Sequence, residues 1–132
     1  MRQGAVVNMR VFKYKTFVKW AKKQGMSDDD LKKAIAEIQI GLIDANLGGD
    51  VYKKRIGIHG RGKRGSHRTI ILMKAGDKAI FVHGFAKGER DNIAKNELEG
   101  FKVMAEAFLG LNDKQLAVLI DKQSLIEVFL NE

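Results

Sequence analysis

Short stretches of the chain that are rich in β-favouring residues predict strands, and in residues 9–14 apolar and polar positions also alternate. Four such stretches are residues 9–14, a run beginning near Val51, about 68–74, and about 78–87. The last three are joined by the glycine-punctuated connection 59–67 and by the tight turn Ala75-Gly76-Asp77. Sequential strands with short links predict an antiparallel meander.

Helical periodicity occupies most of the remaining sequence. Residues 16–24 place apolar side chains on one face and stop at Gly25. Ser27 is an N-cap followed by three aspartates, and the stripe after it predicts a second helix. The stripe consists of Leu31, Ala34, Ile35, Ile38 and Leu42. Two C-terminal helices are predicted, one over about 91–109 and a shorter one capped by Asn112 with Gln115.

The tail 125–130 alternates and favours a strand, with continued helix as the alternative. The loop at Asn46, Gly48 and Gly49 precedes the second strand. Together the elements predict an α+β fold, in which helices pack on an antiparallel sheet. We expect a single domain over residues 1–132, with 1–8 as an extension upstream of Met9.

Strand alternation also assigns side chains to faces. In the second strand, one face carries Val51, Lys53 and Arg55, and the other carries Tyr52, Lys54, Ile56 and Ile58. In the fourth strand, Phe81, His83, Phe85 and Lys87 are predicted to share a face opposite Ile80 and Val82.

Positive charge is concentrated in residues 51–76. This segment contains eight Lys and Arg residues and no Asp or Glu, and the net charge of the whole chain is +8. The rest of the sequence is therefore electrically balanced. A localised cationic field attracts polyanions, whereas a merely solvated basic hairpin is the less specific alternative.

Other composition features narrow the function classes. The chain has no Cys, which excludes disulfides and thiolate chemistry and fits a cytoplasmic protein. No apolar run approaches the ~18 residues that a membrane span needs. The segment GIHGRGK resembles a phosphate-binding nucleotide loop but is followed by Arg64, so the Ser or Thr ligand of magnesium is missing. The three histidines form no metal-binding pair on a helix, and we expect no metal and no cofactor.

Cleavage of RNA without a metal needs a base for the 2′-OH, cations for the charged phosphorane and an acid for the leaving 5′-oxygen. Arg68 suits phosphate clamping because its planar guanidinium can hold two oxygens. The other catalytic candidates are Lys54, His67, His83 and Lys87. The candidates for RNA binding are Lys53, Arg55, Arg61, Lys63, Arg64 and Arg90. We expect these groups to converge in one concavity from neighbouring strands.

Two motifs resemble a known family. The run GRGKRGSHRTIIL, followed by FVHGFAKGERDNI, is similar to the RelE/HigB-like toxins of bacterial type II toxin–antitoxin systems. The likeness extends upstream through MRVFKYKTFVKWAKKQGMSDDDL and GLIDANLGGDVYKKRI. It implies a RelE-like, microbial RNase-like fold and an mRNA interferase that cleaves mRNA, usually in the ribosomal A site, without metal. It also implies a cognate antitoxin as partner.

The resemblance assigns roles to particular residues. Arg68 matches the arginine that contacts the scissile phosphate, Lys53 and Lys54 match the basic residues of the preceding strand, and Lys87 matches the lysine of the second motif. His67 replaces an aromatic hydroxyl residue of many relatives. Some relatives use a tyrosine in the helix after the lysine of the second motif, but the corresponding region here contains Asn92, Ile93 and Ala94. No tyrosine is therefore carried over, and the identity of the general base is left open.

Two further functions fit the same residues. A ParE-like toxin of similar fold would poison DNA gyrase and leave mRNA intact. A non-catalytic RNA-binding domain would lose affinity in proportion to the charge removed and would have no cleavage to lose.

Overall fold

The computed structural model describes residues 9–58, 62–86 and 93–131, with the backbone alone for residues 62–66. The described part contains six strands and four helices. The strands are β1 (Arg10–Tyr14), β2 (Ala45–Gly48), β3 (Val51–Ile58), β4 (Gly62–Lys74), β5 (Lys78–Ala86) and β6 (Leu125–Val128). The helices are α1 (Lys15–Gln24), α2 (Asp28–Gln39), α3 (Lys95–Leu109) and α4 (Asp113–Asp121).

The six strands form one sheet in the order β2-β3-β4-β5-β1-β6. Strands β3, β4 and β5 form the predicted antiparallel meander, and β2, which was not predicted, extends it by pairing antiparallel with β3. The last strand of the meander, β5, pairs with β1 and runs parallel to it. On its other edge, β1 pairs antiparallel with β6. The α+β class is therefore confirmed, but the sheet is mixed rather than wholly antiparallel.

The helices cover both faces of the sheet. Helices α1 and α2 pack on one face, which we call the α1 face, around buried residues such as Phe17, Leu31 and Phe81. Helices α3 and α4 pack on the other, the α3 face, around Ile70 and Leu116. Because the central strands are covered on both sides, they read as nearly continuous apolar runs rather than as alternating ones.

Local signals fixed several helix ends as predicted. Ser27 accepts a hydrogen bond from the backbone N–H of Asp30, whose carboxylate accepts one from the N–H of Ser27. Asn112 and Gln115 form the same reciprocal cap at the start of α4. Gly25 ends α1 with φ of 74°, a left-handed conformation that glycine adopts without a steric cost.

Three predicted boundaries are wrong. Helix α2 ends at Gln39, and Leu42 lies beyond it with 53% of its surface exposed. The predicted loop at residues 46–49 contains part of β2, because Asn46 pairs with Tyr52 of β3. Strand β4 begins at Gly62 rather than near Arg68. In the last two cases pairing with a neighbouring strand overrides the weak β-propensity of Asn and Gly.

Strand β5 contains a bulge that changes which side chains share a face. Ile70 of β4 lies opposite His83, whereas the next residue, Ile71, lies opposite Phe81. Strand β5 therefore has one extra residue, Val82, between the two pairs. Phe81 consequently faces α1, and the prediction that it shares a face with His83 is wrong.

A buried lysine joins β5 to the end of α3. Lys78 is 6% exposed, and its Nζ donates to the backbone oxygens of Leu109 and Leu111 at 3.1 and 3.3 Å. It also contacts the carboxylate of Asp77 at 3.0 Å. The carbonyl of Leu109 is one that α3 leaves without a partner at its C-terminal end, and Lys78 satisfies it. Lys78 thereby fixes α3 against the sheet.

A bidentate ion pair links β1 to the edge strand β6. Arg10 of β1 donates from Nε and Nη2 to the two carboxylate oxygens of Glu127 in β6, at 3.0 and 2.8 Å. Its Nη1 reaches Asp113 at the start of α4. The hydrogen bond to Glu127 raises the pKa of the Arg10 guanidinium above its usual value, so this charge is constant over the accessible pH range.

Candidate active site

Three cations lie together on the α3 face of β3 and β4, and we call them the basic face: Lys53, Arg55 and Arg68. Arg55 and Arg68 are directly opposite each other in the antiparallel ladder. Lys53 is two residues from Arg55 on the same strand and lies opposite Ile70, which belongs to the core beneath α3. Alternation along β3 therefore confirms the predicted grouping of Lys53 with Arg55.

The basic face is electrostatically unfavourable in the isolated protein. Directly opposed residues in an antiparallel pair have Cβ atoms about 4.5–5.5 Å apart, and like charges there are destabilising. Asp44 accepts a hydrogen bond from the backbone N–H of Arg55. Among the described residues, however, no carboxylate forms a salt bridge with the guanidinium of Arg55 or Arg68. A bound polyanion would relieve this repulsion.

Arg68 also has an unsatisfied donor. Its Nη1 is buried and makes no hydrogen bond to any residue that the structure describes. Leaving a buried donor unpaired costs about 1–3 kcal/mol, and more for a charged group. Phosphate oxygens match the geometry of a guanidinium and are suitable acceptors for this donor.

His83 and Phe85 of β5 line the neighbouring part of the α3 face. Phe85 lies opposite Arg68, and His83 lies opposite Ile70, two pairs further along the ladder. The ring of His83 is 5.4 Å from that of Phe101 on α3 and 6.1 Å from that of Phe85. The bulge at Val82 brings His83 to this face. It is the described titratable side chain of β5 that lies nearest in the ladder to Arg68.

Lys54 lies on the opposite face of the sheet. Its side chain is 6% exposed, and its Nζ forms a 2.8 Å salt bridge with Glu37 of α2. Its backbone oxygen accepts a hydrogen bond from Thr69. Lys54 therefore links β3 to α2, and the prediction that it converges with Arg68 on one surface is wrong.

His67 likewise lies on the α1 face. It is 6% exposed, and its Nε2 donates to Oε1 of Gln24 at 2.9 Å. The ring of Trp20 lies 5.6 Å away in an edge-on arrangement. His67 and Arg68 are adjacent in β4, so their side chains point to opposite sides of the sheet.

Several predicted site residues lie outside the described side chains. Arg61, Lys87 and Arg90 lie outside the described residues altogether. Lys63 and Arg64 belong to β4 by their backbone, and their side chains are not described. Their predicted roles stay predictions.

Sequence reasoning missed the groups that hold Lys54 and His67, namely Glu37 and Gln24. Neither belongs to an apolar stripe, so helix periodicity provided no signal for them. The available signal was indirect, since Lys54 alternates with Tyr52 and Ile56 and so occupies an inward position. A lysine in such a position needs a carboxylate partner from the covering helix.

Metal-binding and membrane-spanning features were the other possibilities considered for the described residues. No group of three or more His, Asp or Glu side chains in the described ranges is arranged to hold a metal ion. No helix in the described part of the chain is long and apolar enough to cross a membrane.

The mixed sheet, covered by helices on both faces, defines a small α+β protein that carries a cluster of cations on β3 and β4. The family model of the RelE toxin of the RelE/RelB toxin–antitoxin system matches residues 9–128. The chain therefore belongs to the RelE toxin family, and it is the toxin component of a toxin–antitoxin system. Membership implies a cognate antitoxin as its partner. A comparison with curated proteins found no match.

Proposed function

We propose that this toxin is a metal-independent endoribonuclease that cuts mRNA in the A site of the ribosome and so stops translation. Membership of the RelE family supports a toxin of this kind. The observation that carries the proposal is the directly opposed pair Arg55 and Arg68, together with the buried Nη1 of Arg68, which has no hydrogen-bond partner in the described part of the chain. Such a cationic pair stabilises a phosphorane, whose charge exceeds that of the phosphodiester.

The proposed reaction is attack of a ribose 2′-oxygen on the adjacent phosphorus. The 2′-OH loses its proton to a base, the new P–O2′ bond forms, and the P–O5′ bond breaks. The 5′-oxygen then takes a proton from an acid. The products are a 2′,3′-cyclic phosphate and a 5′-hydroxyl end, and no electron carrier or metal is consumed.

Residue roles follow from position on the α3 face. Arg68 and Arg55 would clamp the non-bridging oxygens of the scissile phosphate, and Lys53 would hold a neighbouring phosphate. His83, on the adjacent strand, would carry one of the two protons. Lys87 is the candidate for the other proton transfer, on the resemblance of the second motif alone. Lys54 and His67, which face α1, would not touch the RNA.

The cleavage test uses purified toxin, programmed ribosomes and an mRNA with a known codon in the A site. We expect one cut near that codon, with cyclic phosphate at the upstream end. A single 2′-deoxy substitution at the cleaved nucleotide should abolish the cut, because the attacking group is removed. Cleavage of the deoxy substrate, or a 3′-hydroxyl product, would contradict the mechanism.

Two alanine variants distinguish a specific role of Arg68 in cleavage from a general effect of positive charge. Arg68→Ala should lower the cleavage rate by about 10²–10³-fold, as loss of a transition-state donor does in other enzymes. Lys74→Ala is the matched control, because Lys74 lies at the far end of the same strand and its side chain is 57% exposed. It removes the same charge and should leave cleavage unchanged. Intact mRNA together with inhibited DNA supercoiling would instead identify a gyrase poison.

The antitoxin is expected to cover the basic face. An acidic segment of the partner would satisfy Arg55 and Arg68 and at the same time exclude phosphate. We expect the Arg68→Ala toxin to bind this partner more weakly than the Lys74→Ala toxin does. Equal affinities would place the antitoxin elsewhere on the protein.

A further inference from the structure

His67 lies next to Arg68 in sequence but is separated from the basic face by the sheet itself. It is buried against α1, and the Nε2–H is already donated to Gln24. A general base or acid must come within hydrogen-bonding distance of the reacting oxygen, directly or through one water. From the α1 face, His67 cannot do so without leaving its partner.

On the side of β3, the regular pairing of β4 ends at His67. In β3 its partner is Ile56, after which the pairing becomes irregular before Ile58 meets Gly62. In β5 its partner is Ala86. Arg68 is one residue inside this end. Without an anchor, the end of a ladder opens more readily than its centre, and the direction of Arg68 would vary with it.

Helix α1 provides that anchor through two contacts. Gln24, the last residue of α1, accepts the hydrogen bond from His67. Trp20, one turn earlier, places its ring edge-on to His67 and directly over Gly84 of β5. A Cβ at position 84 would lie 2.2 Å from the ring, so helix and sheet are in close contact here. Helix α1 therefore contacts two adjacent strands at this point, β4 at His67 and β5 at Gly84.

We propose that His67 is a positioning residue, which holds β4 against α1 through Gln24 at the end of its regular pairing with β3, and thereby fixes the guanidinium of Arg68. The expected effect of His67 on the cleavage rate rests on the proposed nuclease function. Its expected effect on the order of the Arg68 side chain does not. It replaces the sequence-based assignment of His67 as a proton carrier.

The experiment compares His67→Ala, His67→Gln and Gln24→Ala with Gln39→Ala. Gln39 is an exposed glutamine at the end of α2, so it is a matched control for removal of a helix-terminal amide. His67→Gln can still donate to Gln24 but cannot transfer a proton near neutral pH. This variant separates anchoring from acid–base chemistry.

The first measurement does not depend on activity. Relaxation of the ¹⁵N-labelled Nε–H of Arg68, assigned with Arg68→Lys, reports how well its side chain is ordered. We expect lower order in His67→Ala and Gln24→Ala, and wild-type order in His67→Gln and Gln39→Ala. Unchanged Arg68 order in both alanine variants would overturn the proposal, whether or not the protein proves to be a nuclease.

The second measurement is single-turnover cleavage on ribosomes. We expect His67→Ala and Gln24→Ala each to lower the maximal rate by roughly 10–100-fold, as small displacements of catalytic groups do, with little change in the half-saturating concentration. The double variant should be no slower than either single variant. His67→Gln should keep most of the rate and the wild-type pH profile.

Opposite outcomes are equally informative. If His67→Gln is as slow as His67→Ala while Gln24→Ala is fully active, His67 transfers a proton and the proposal is wrong. If the alanine variants unfold at lower temperature but cleave at the wild-type rate, the anchor is structural only and the proposal is also wrong. If the wild-type protein cuts no RNA, the proposed function fails, and the order of Arg68 still decides the positioning role.

Discussion

Lys54 and Arg55 are adjacent in β3, yet substitution of each by alanine should have opposite effects. Lys54→Ala removes one partner of the salt bridge with Glu37, which costs about 3–5 kcal/mol when both charges are fully buried. The Glu37 side chain is 30% exposed and can be hydrated, so we expect a loss of about 2–3 kcal/mol in the free energy of unfolding. The melting temperature should fall by roughly 6–12 °C for a protein of this size.

Arg55→Ala should instead leave stability unchanged or raise it slightly. It removes a positive charge directly opposite Arg68, and relief of such a pair is worth a few tenths of a kcal/mol at an exposed position. The same change deletes a proposed phosphate ligand. Cleavage should therefore fall by at least tenfold, whereas Lys54→Ala should keep its activity at 25 °C, well below its melting temperature.

The two quantities are measured on the same samples, by thermal unfolding and by single-turnover cleavage. Glu37→Gln serves as the partner control for Lys54, since it breaks the same salt bridge from the helix side. A Lys54→Ala protein that is as stable as wild type but inactive would refute the reasoning. It would show that Lys54 turns towards the RNA, as the sequence alone had indicated.

Three further predictions concern the fold around the site. Gly84→Ala should lower the free energy of unfolding by about 1–3 kcal/mol because its Cβ would overlap the ring of Trp20. Trp20 is the single tryptophan of the chain, so a shifted tryptophan emission should accompany the change. An unaltered melting curve would contradict the close contact. Lys78→Met should lower the free energy of unfolding by about 1–3 kcal/mol because the carbonyl of Leu109 loses its donor. Faster amide exchange in the last turn of α3 would confirm that the loss of stability arises there. Lys53→Ala should reduce the slope of log affinity for single-stranded RNA against log salt by about 0.7, the value for one phosphate contact, and an unchanged slope would remove Lys53 from the interface.

The register of β4 and β5 explains why the site was only partly predictable. Each strand was recognised from its composition, and alternation correctly grouped Lys53 with Arg55. The grouping of His83 with Phe81 failed because the bulge at Val82 inserts one residue, and a shift of one residue moves a side chain to the other face. Gly84 lies in that stretch and is a residue type often found near bulges, but it does not indicate which neighbouring residue is the extra one.

The placement of Lys54 and His67 shows a second limit. Both were read as catalytic because they are titratable residues next to arginines in a basic segment. Their partners, Glu37 and Gln24, precede them by 17 and 43 residues, and one sequence does not indicate which helix covers which strand. Contacts over such separations depend on how the whole chain packs.

Local sequence determined most elements of this protein, including the caps at Ser27 and Asn112 and the concentration of charge in residues 51–76, because these depend on neighbouring residues only. The tertiary structure decided which of those charges meet. Pairing across strands places Arg55 opposite Arg68, and packing of α1 and α2 draws His67 and Lys54 to the other side. A sheet has two faces, and the division of the basic residues between them is a property of the assembled sheet rather than of any segment.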